Sequence, residues 1–288
     1  MKNVLVTGAN KGIGLAVVEA ILREQVQYKV IMGSRDSHRG SVARDSLLAI
    51  NEAWSDRVEV LELDVSSNES VSSAREFIAD LGSEHASPLY ALVNNAGLGS
   101  GTLEQVLNVN TYGVQKVCVA MAPMIEPGGR IVNVTSASGP KFVTQCNAAR
   151  QKFFVDPGIN WSRLSSFMEE CLRRAPAEFS SLGMDAESPY GLSKACANSY
   201  TVYLAKCFPQ LFVNACTPGF IETDLGKDFL GDRTPAQAGM KSPAQGARVI
   251  MKLLFDSPGG SGHYYGSDSL RSPMDRYRAP GSPEYTGS

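Results

Sequence analysis

The chain has 288 residues, 43% of them hydrophobic and 19% charged, the proportions of a globular protein with room for a sizeable core. Its net charge of −2 offers no basic field to nucleic acid or an anionic membrane, and no apolar run approaches the ~20 residues of a membrane span. Six scattered cysteines lack any CxxC spacing, and His38, His85 and His263 lie far apart, so neither a metal site nor a Ser-His-Asp triad is expected.

The elements then follow in order. "NVLVTG" at 3–8 is a short β-leaning run that ends in glycine and leads into the helical pattern "GIGLAVVEAILREQ". A strand is expected at 28–35, a helix at 40–53, a strand at 57–65, and a helix over 66–81 that Ser67 can cap. Strands at 89–97 and 130–139 flank a helix near 103–122. "SPYGLSKACANSYTVYLAK" opens a helix with Ser188 as N-cap and Pro189 in its first turn, and 211–219 is a further strand. This alternation predicts one α/β domain, a parallel, doubly wound sheet with helices on both faces. It spans 1–265, and the Ser-, Pro- and Gly-rich stretch 266–288 is expected as an extended arm or a disordered end.

Chemistry collects at the strand ends. In "TGANKGIG", Gly8 permits a tight turn, Gly12 close approach of a pyrophosphate and Gly14 close helix–strand packing, with free N–H groups at the helix start facing the phosphates. Such a glycine loop is also compatible with another nucleotide fold or a methyltransferase. The second strand ends in "MGSRD". Ser34 stands where NAD-binding chains place an acid, Arg35 follows, and Lys11 lies in the loop, so two cations favour the 2′-phosphate of NADP(H). Asp36 dissents, one position on. "LVNNAG" puts two asparagines at the end of a buried strand, Asn110 sits in the next helix, and Ser136 ends the strand after it. Tyr190 and Lys194, four apart, open the following helix, and "TPGFIETD" follows a later strand. A second Tyr/Lys pair, Tyr112 and Lys116, has the same spacing, and spacing alone cannot choose between the two.

The glycine loop, "NNAG", the helix asparagine, the strand-end serine, "YGLSK" and "TPG" occur in the order of the short-chain dehydrogenases/reductases, across roughly residues 3–225. The chain resembles that family, and within it most of all the monomeric NADPH-dependent carbonyl reductases. The resemblance implies a Rossmann-type fold and selects Tyr190–Lys194, because the family's tyrosine follows the strand-end serine. It further implies a helical insertion at 140–187, since 54 positions separate Ser136 from Tyr190. In that insertion Leu164, Phe167, Met168, Cys171 and Leu172 share one helical face, which would cover the surface that other members use to dimerise. The chain departs from the pattern in three places. Only 13 positions separate Gly97 from Asn110, Phe220 stands where tryptophan is common, and Thr217 replaces a frequent cysteine.

The implied reaction is reduction of ketones, aldehydes or quinones by NADPH. Tyr190 would be the proton donor, with its pKa lowered by the Lys194 ammonium one helical turn on. Ser136 would stabilise the oxygen, and Asn110 would hold a relay water. The implied cofactor set is Gly8, Asn10, Lys11, Gly12, Ile13, Gly14, Ser34, Arg35, Asp64, Val65, Asn94, Ala96, Gly97, Tyr190, Lys194, Pro218, Gly219 and Thr223. Ser138, Phe142 and Phe220 would line the substrate pocket. A cytoplasmic monomer acting on a small molecule is expected, with reduced thiols and an N-terminus whose apolar part is too short for a signal peptide. Two alternatives are an NAD(P)-dependent dehydrogenase of one steroid- or prostaglandin-type alcohol and a non-catalytic NADP(H)-binding regulator.

Overall fold

In the computed structural model, which describes all residues except 83–86, 186, 258 and 288, strand β1 (Lys2–Thr7) lies inside the sheet. His85 thus falls outside the described residues. Val4, Leu5 and Val6 are fully buried, Leu5 in the apolar cluster of one face and Val4 and Val6 in that of the other, as strand alternation requires. Burial of each side chain is worth about 1.5–3 kcal/mol.

On one side of β1 run β2 (Tyr28–Ser34) and β3 (Val58–Glu62), and on the other β4 (Leu89–Asn94), β5 (Ile125–Val134), β6 (Phe212–Cys216) and β7 (Tyr264–Tyr265), all parallel. β8 (Arg271–Ser272) closes the edge antiparallel to β7. β7 and β8, of two residues each, are too short to leave a periodic signal, and sequence reading missed both.

Helices α1 (Gly12–Glu24), α2 (Ser37–Ile50) and α11 (Pro243–Phe255) cover the face that holds Val4 and Val6. The other face carries α3 (Asn68–Leu81), α4 (Leu103–Leu107), α5 (Val114–Met121) and α9 (Pro189–Cys207). The helix foreseen near 103–122 is interrupted by a π-helical turn at Asn108–Gly113, a rare distortion that recurs at functional sites. No helix lies between Asn94 and Leu103 among the described residues, in keeping with the short spacing there.

The stretch before Tyr190 contains α6 (Ser138–Thr144), α7 (Ala148–Phe154), α8 (Trp161–Leu172) and a 3₁₀ turn at Pro176–Leu182. Leu164, Phe167, Met168 and Cys171 of α8 are buried as the periodicity requires. Leu172, placed on the same face, is 38% exposed because it is the last residue of the helix. The stretch 266–287 folds back over the sheet edge through β8 and is tied down by a largely buried Asp268–Arg278 ion pair. A short helix, α10 (Asp224–Lys227), lies between β6 and α11.

Candidate active site

The chain leaves β1 toward β2 on one side and returns at β4 on the other, so a crevice opens at the carboxyl edges of the strands. A cleft of about 960 Å³ occupies it.

At one end lies the glycine loop. Gly8 and Gly12 have φ of 61° and 57°, in the left-handed region. A Cβ on Gly8 would come within 2.9 Å of the Ala96 backbone, and one on Gly12 within 3.0 Å of Thr223. Gly8, Asn10, Lys11, Gly12 and Ile13 line the cleft. Gly14 lies behind them, where a Cβ would collide with the Gly8 carbonyl, so it serves packing rather than contact. "NNAG" is explained by this loop. Asn95 donates from Nδ2 to the Thr7 and Gly8 carbonyls at 3.0 Å each, while Thr7 Oγ1 accepts from the Asn95 and Ala96 amides.

Asn94, expected at the cofactor, is corrected by the structure. It is buried away from the cleft and donates to Asn133 Oδ1 at 2.8 Å and Cys118 Sγ at 3.1 Å, so its neighbour Asn95 is the asparagine that lines the cleft. Ala96 and Gly97 line it as expected.

At the end of β2, Ser34 is buried and donates to the Asp36 carbonyl at 2.8 Å. Arg35 reaches the cleft beside it. Asp36 caps α2 by accepting from the Arg39 amide at 2.9 Å, which holds its carboxyl below the usual range. That capped turn carries Arg39 into the same end of the cleft. Sequence reading missed Arg39, the third residue of α2. Asp64 and Val65 line the wall beyond β3, with Asp64 Oδ1 accepting from Ser66 N at 2.9 Å and Oγ at 2.6 Å. Lys11 is paired with Asp224 of α10 at 2.6 Å, a bridge between two exposed side chains across the mouth.

The opposite end gathers Ser136, Ser138, Tyr190, Lys194, Pro218, Gly219 and Phe220 on the cleft wall, and Thr223 lines it beside Gly12. Ser188 caps α9 by accepting from Gly191 N at 3.0 Å, and this sets Tyr190 and Lys194 on the first inward-facing turn. The Tyr190 hydroxyl is within hydrogen-bonding reach of Ser136. Burial pushes it up to about 12, partly offset by that bond, so the lowering expected from Lys194 is not found. Burial likewise pushes Lys194 down to about 8.

Asn110 does not line the cleft. It is fully buried in the π turn, where its Oδ1 accepts from Leu98 N at 2.8 Å and its Nδ2 donates to Leu98 O at 2.9 Å and Ser193 Oγ at 3.0 Å. A Cβ on Gly97 would lie 3.2 Å from Asn110 Oδ1 and 3.6 Å from Lys194 Nζ, so these groups meet behind Gly97. Phe142, expected in the substrate pocket, is corrected too. Its side chain is 2% exposed and packs edge-on to Phe154 in the core, because α6 turns it inward. Aromatic groups that sequence reading missed take part instead: Phe229 tilts against the Tyr190 ring at 5.2 Å, and Tyr277 lines the cleft. Both come from irregular segments with no periodic signal.

The second Tyr/Lys pair is elsewhere. Tyr112 packs edge-on to Trp161 at 5.7 Å, and Lys116 donates to the Ser66 carbonyl at 2.7 Å. Among the described residues no group of three or more His, Cys, Asp or Glu is placed to hold a metal.

A nucleotide-cradling glycine loop on a Rossmann-type sheet, facing a Ser/Tyr/Lys set, defines a dinucleotide-dependent oxidoreductase fold. The short chain dehydrogenase family model matches residues 2–149, and this chain belongs to that family. Among its relatives, carbonyl reductase [NADPH] 3 of Rattus norvegicus is 31% identical, covering 83% of this chain and 88% of its own. Carbonyl reductase [NADPH] 1 of the same species is 29% identical over 90% and 92% of the two chains. The solved structure of salutaridine reductase from Papaver somniferum has the same fold, with a TM-score of 0.77 at 24% identity over 92% of this chain and 99% of its own.

Proposed function

We propose that the protein reduces carbonyl compounds to alcohols with NADPH. The observation that carries the reading is that one cleft joins Arg35 and Arg39 at one end to Ser136, Tyr190 and Lys194 at the other. The residues fit a dinucleotide: Gly8 and Gly12 leave open the space a side chain would fill, and the two arginines suit a 2′-phosphate. When bound, NADPH supplies the hydride. The chain's own residues do the rest. Ser136 and Tyr190 hold the substrate oxygen between their hydroxyls, which orients the carbonyl and stabilises negative charge as it develops there. Tyr190, protonated at neutral pH, delivers its proton to that oxygen, and the Lys194 ammonium steadies the phenolate left behind. Asn110 acts behind Lys194 by fixing the loop at Leu98 and the helix at Ser193, which keeps the lysine's wall in place.

We further propose NADP(H) over NAD(H), a small-molecule carbonyl substrate, a monomer, and a cytoplasmic setting, which six free cysteines favour. The domain is taken as 1–265 with 266–288 as a C-terminal arm. The test is NADPH consumption with a panel of aldehydes, ketones, quinones and α-dicarbonyls. No carbonyl-dependent oxidation across the panel would sink the reading.

A further inference from the structure

The arm that follows β7 is built more firmly than a surface tail requires. After Tyr265 the chain turns back at once, with Gly266 N donating to Leu270 O at 2.8 Å. Ser269 in this turn has φ of 62°, the one non-glycine residue with positive φ among the described residues, and such a conformation persists only where the surroundings enforce it. Beside this turn, Arg278 clasps Asp268. Its guanidinium grips both oxygens of Asp268, at 3.1 and 2.6 Å, and also donates to Ser272 Oγ, Ser282 O and Pro283 O. Asp268 accepts in addition from Gly281 N at 3.0 Å. The two side chains are only 6% and 19% exposed, so the clasp is a bidentate pair withdrawn from water. Burial of this kind is a poor source of net stability, but it fixes geometry.

What the clasp fixes is the residue beside it. Tyr277 lines the cleft, with the Lys141 ammonium 4.6 Å from its ring centroid. Lys141 belongs to α6, the helix that starts two residues after Ser136, and Thr144 of the same helix donates to the Asp275 carbonyl at 3.2 Å. The arm is therefore docked on the helix that leads out of the reacting end. Pro140 and Lys141 of that helix line the cleft together with Ser136 and Ser138, which sets Tyr277 on the substrate side rather than the nucleotide side. Phe229 tilts against the Tyr190 ring. Two rings beyond the reacting tyrosine, Phe229 and Tyr277, thus line the same cleft.

We infer that the C-terminal arm is the distal wall of the carbonyl site, with Tyr277 as a specificity-determining residue and the Asp268–Arg278 clasp as the group that positions it. This rests on the carbonyl-reducing reading of the cleft. The wall recognises the flat apolar part of a substrate that extends past its carbonyl, and a carbonyl compound too small to reach it gains nothing from it.

The test uses the full chain and two substrates, an aryl ketone and propanal, with NADPH. Tyr277→Ala raises KM for the aryl ketone about fivefold, equivalent to about 1 kcal/mol, while KM for propanal and for NADPH stay within about twofold. Arg278→Gln, which breaks the clasp without touching the ring, shifts the aryl ketone KM in the same direction and again spares propanal. Tyr277→Ala removes a half-exposed side chain, so it keeps the test clear should Arg278→Gln lower Tm and disturb the fold. Equal changes for both substrates, no change for either, or a matching rise in KM for NADPH would each overturn the inference. Failure of the wild type to oxidise NADPH with either carbonyl would remove the functional reading and the inference with it.

Discussion

Lys194 Nζ donates to the backbone carbonyl of Val134 at 3.0 Å, and its side chain has no carboxylate partner among the described residues. The residue is 4% exposed, so the ammonium is held in a poorly solvated place by neutral groups alone. Burial lowers its pKa from 10.5 to about 8. Because the folded value is the lower one, the charged form costs the fold stability. The cost is full below about pH 8 and fades as pH rises toward 10.5.

Lys194→Met should therefore abolish turnover and yet raise Tm at pH 7. The lost penalty is on the order of 3 kcal/mol before subtraction of the lost hydrogen bond. The gap between variant and wild type should close as pH approaches 10.5. In the wild type, kcat/KM for NADPH reports ionisation of the free enzyme and should fall as pH rises through about 8. A profile flat to well above that value would mean that the ammonium is not needed.

Tyr190 and Tyr112 test position against residue type. Tyr190→Phe keeps the ring against Phe229 and removes only the hydroxyl, so the fold should survive. Turnover should drop by at least about 10²-fold, the lower end for loss of a general acid. Tyr112→Phe and Lys116→Ala make the same chemical changes at the pair with the same spacing. They should leave turnover within a few-fold, since one ring packs on Trp161 and the amine caps the loop at Ser66. Near-normal NADPH oxidation by Tyr190→Phe would defeat the proposed proton donor.

The assembly state is open to direct measurement. Leu164, Phe167, Met168 and Cys171 of α8 are already buried within the chain, which leaves that helix no apolar stripe to offer a second copy. Sedimentation at micromolar concentration should give a single species near 30.9 kDa. A tight dimer would show that another face, not the one under α8, carries association.

The parts that sequence reading placed well are those where a backbone constraint forces a residue type. Gly8 and Gly12 need positive φ, Ser188 and Pro189 begin α9, and alternation buries β1, so each leaves a mark at a fixed offset. The parts it misplaced depend on which way a side chain turns. Asn94 and Asn95 are adjacent on one strand end and face opposite ways, and only the fold decides which meets the cleft. Phe142 was lost in the same manner to the core of α6. Phe229 and Tyr277 come from irregular segments whose path is set by long-range contacts such as Asp268–Arg278, and no local period announces them. The Tyr190 pKa was misjudged because proximity of Lys194 is visible in spacing while burial is not.

Cofactor choice is the sharpest remaining test, because three cations share it unequally. Arg35 and Arg39 both line the nucleotide end, whereas Lys11 is already engaged by Asp224 at 2.6 Å. A bound 2′-phosphate must compete with that carboxylate for Lys11 but meets Arg35 directly. Wild type should prefer NADPH to NADH by at least about tenfold in kcat/KM, the scale of one charge-assisted contact. Arg35→Asp should shrink or reverse the ratio by weakening NADPH alone. Asp224→Asn should act in the opposite direction, freeing Lys11 and lowering KM for NADPH. The gain should be modest, up to about fivefold, because an exposed ion pair is worth only about 0–1 kcal/mol. NADH kinetics should not respond to Asp224→Asn, since NADH brings no 2′-phosphate for the freed ammonium to meet. Equal effects on both nucleotides would place Lys11 and Asp224 outside cofactor discrimination, and equal use of NADH by the wild type would remove all three cations from that role.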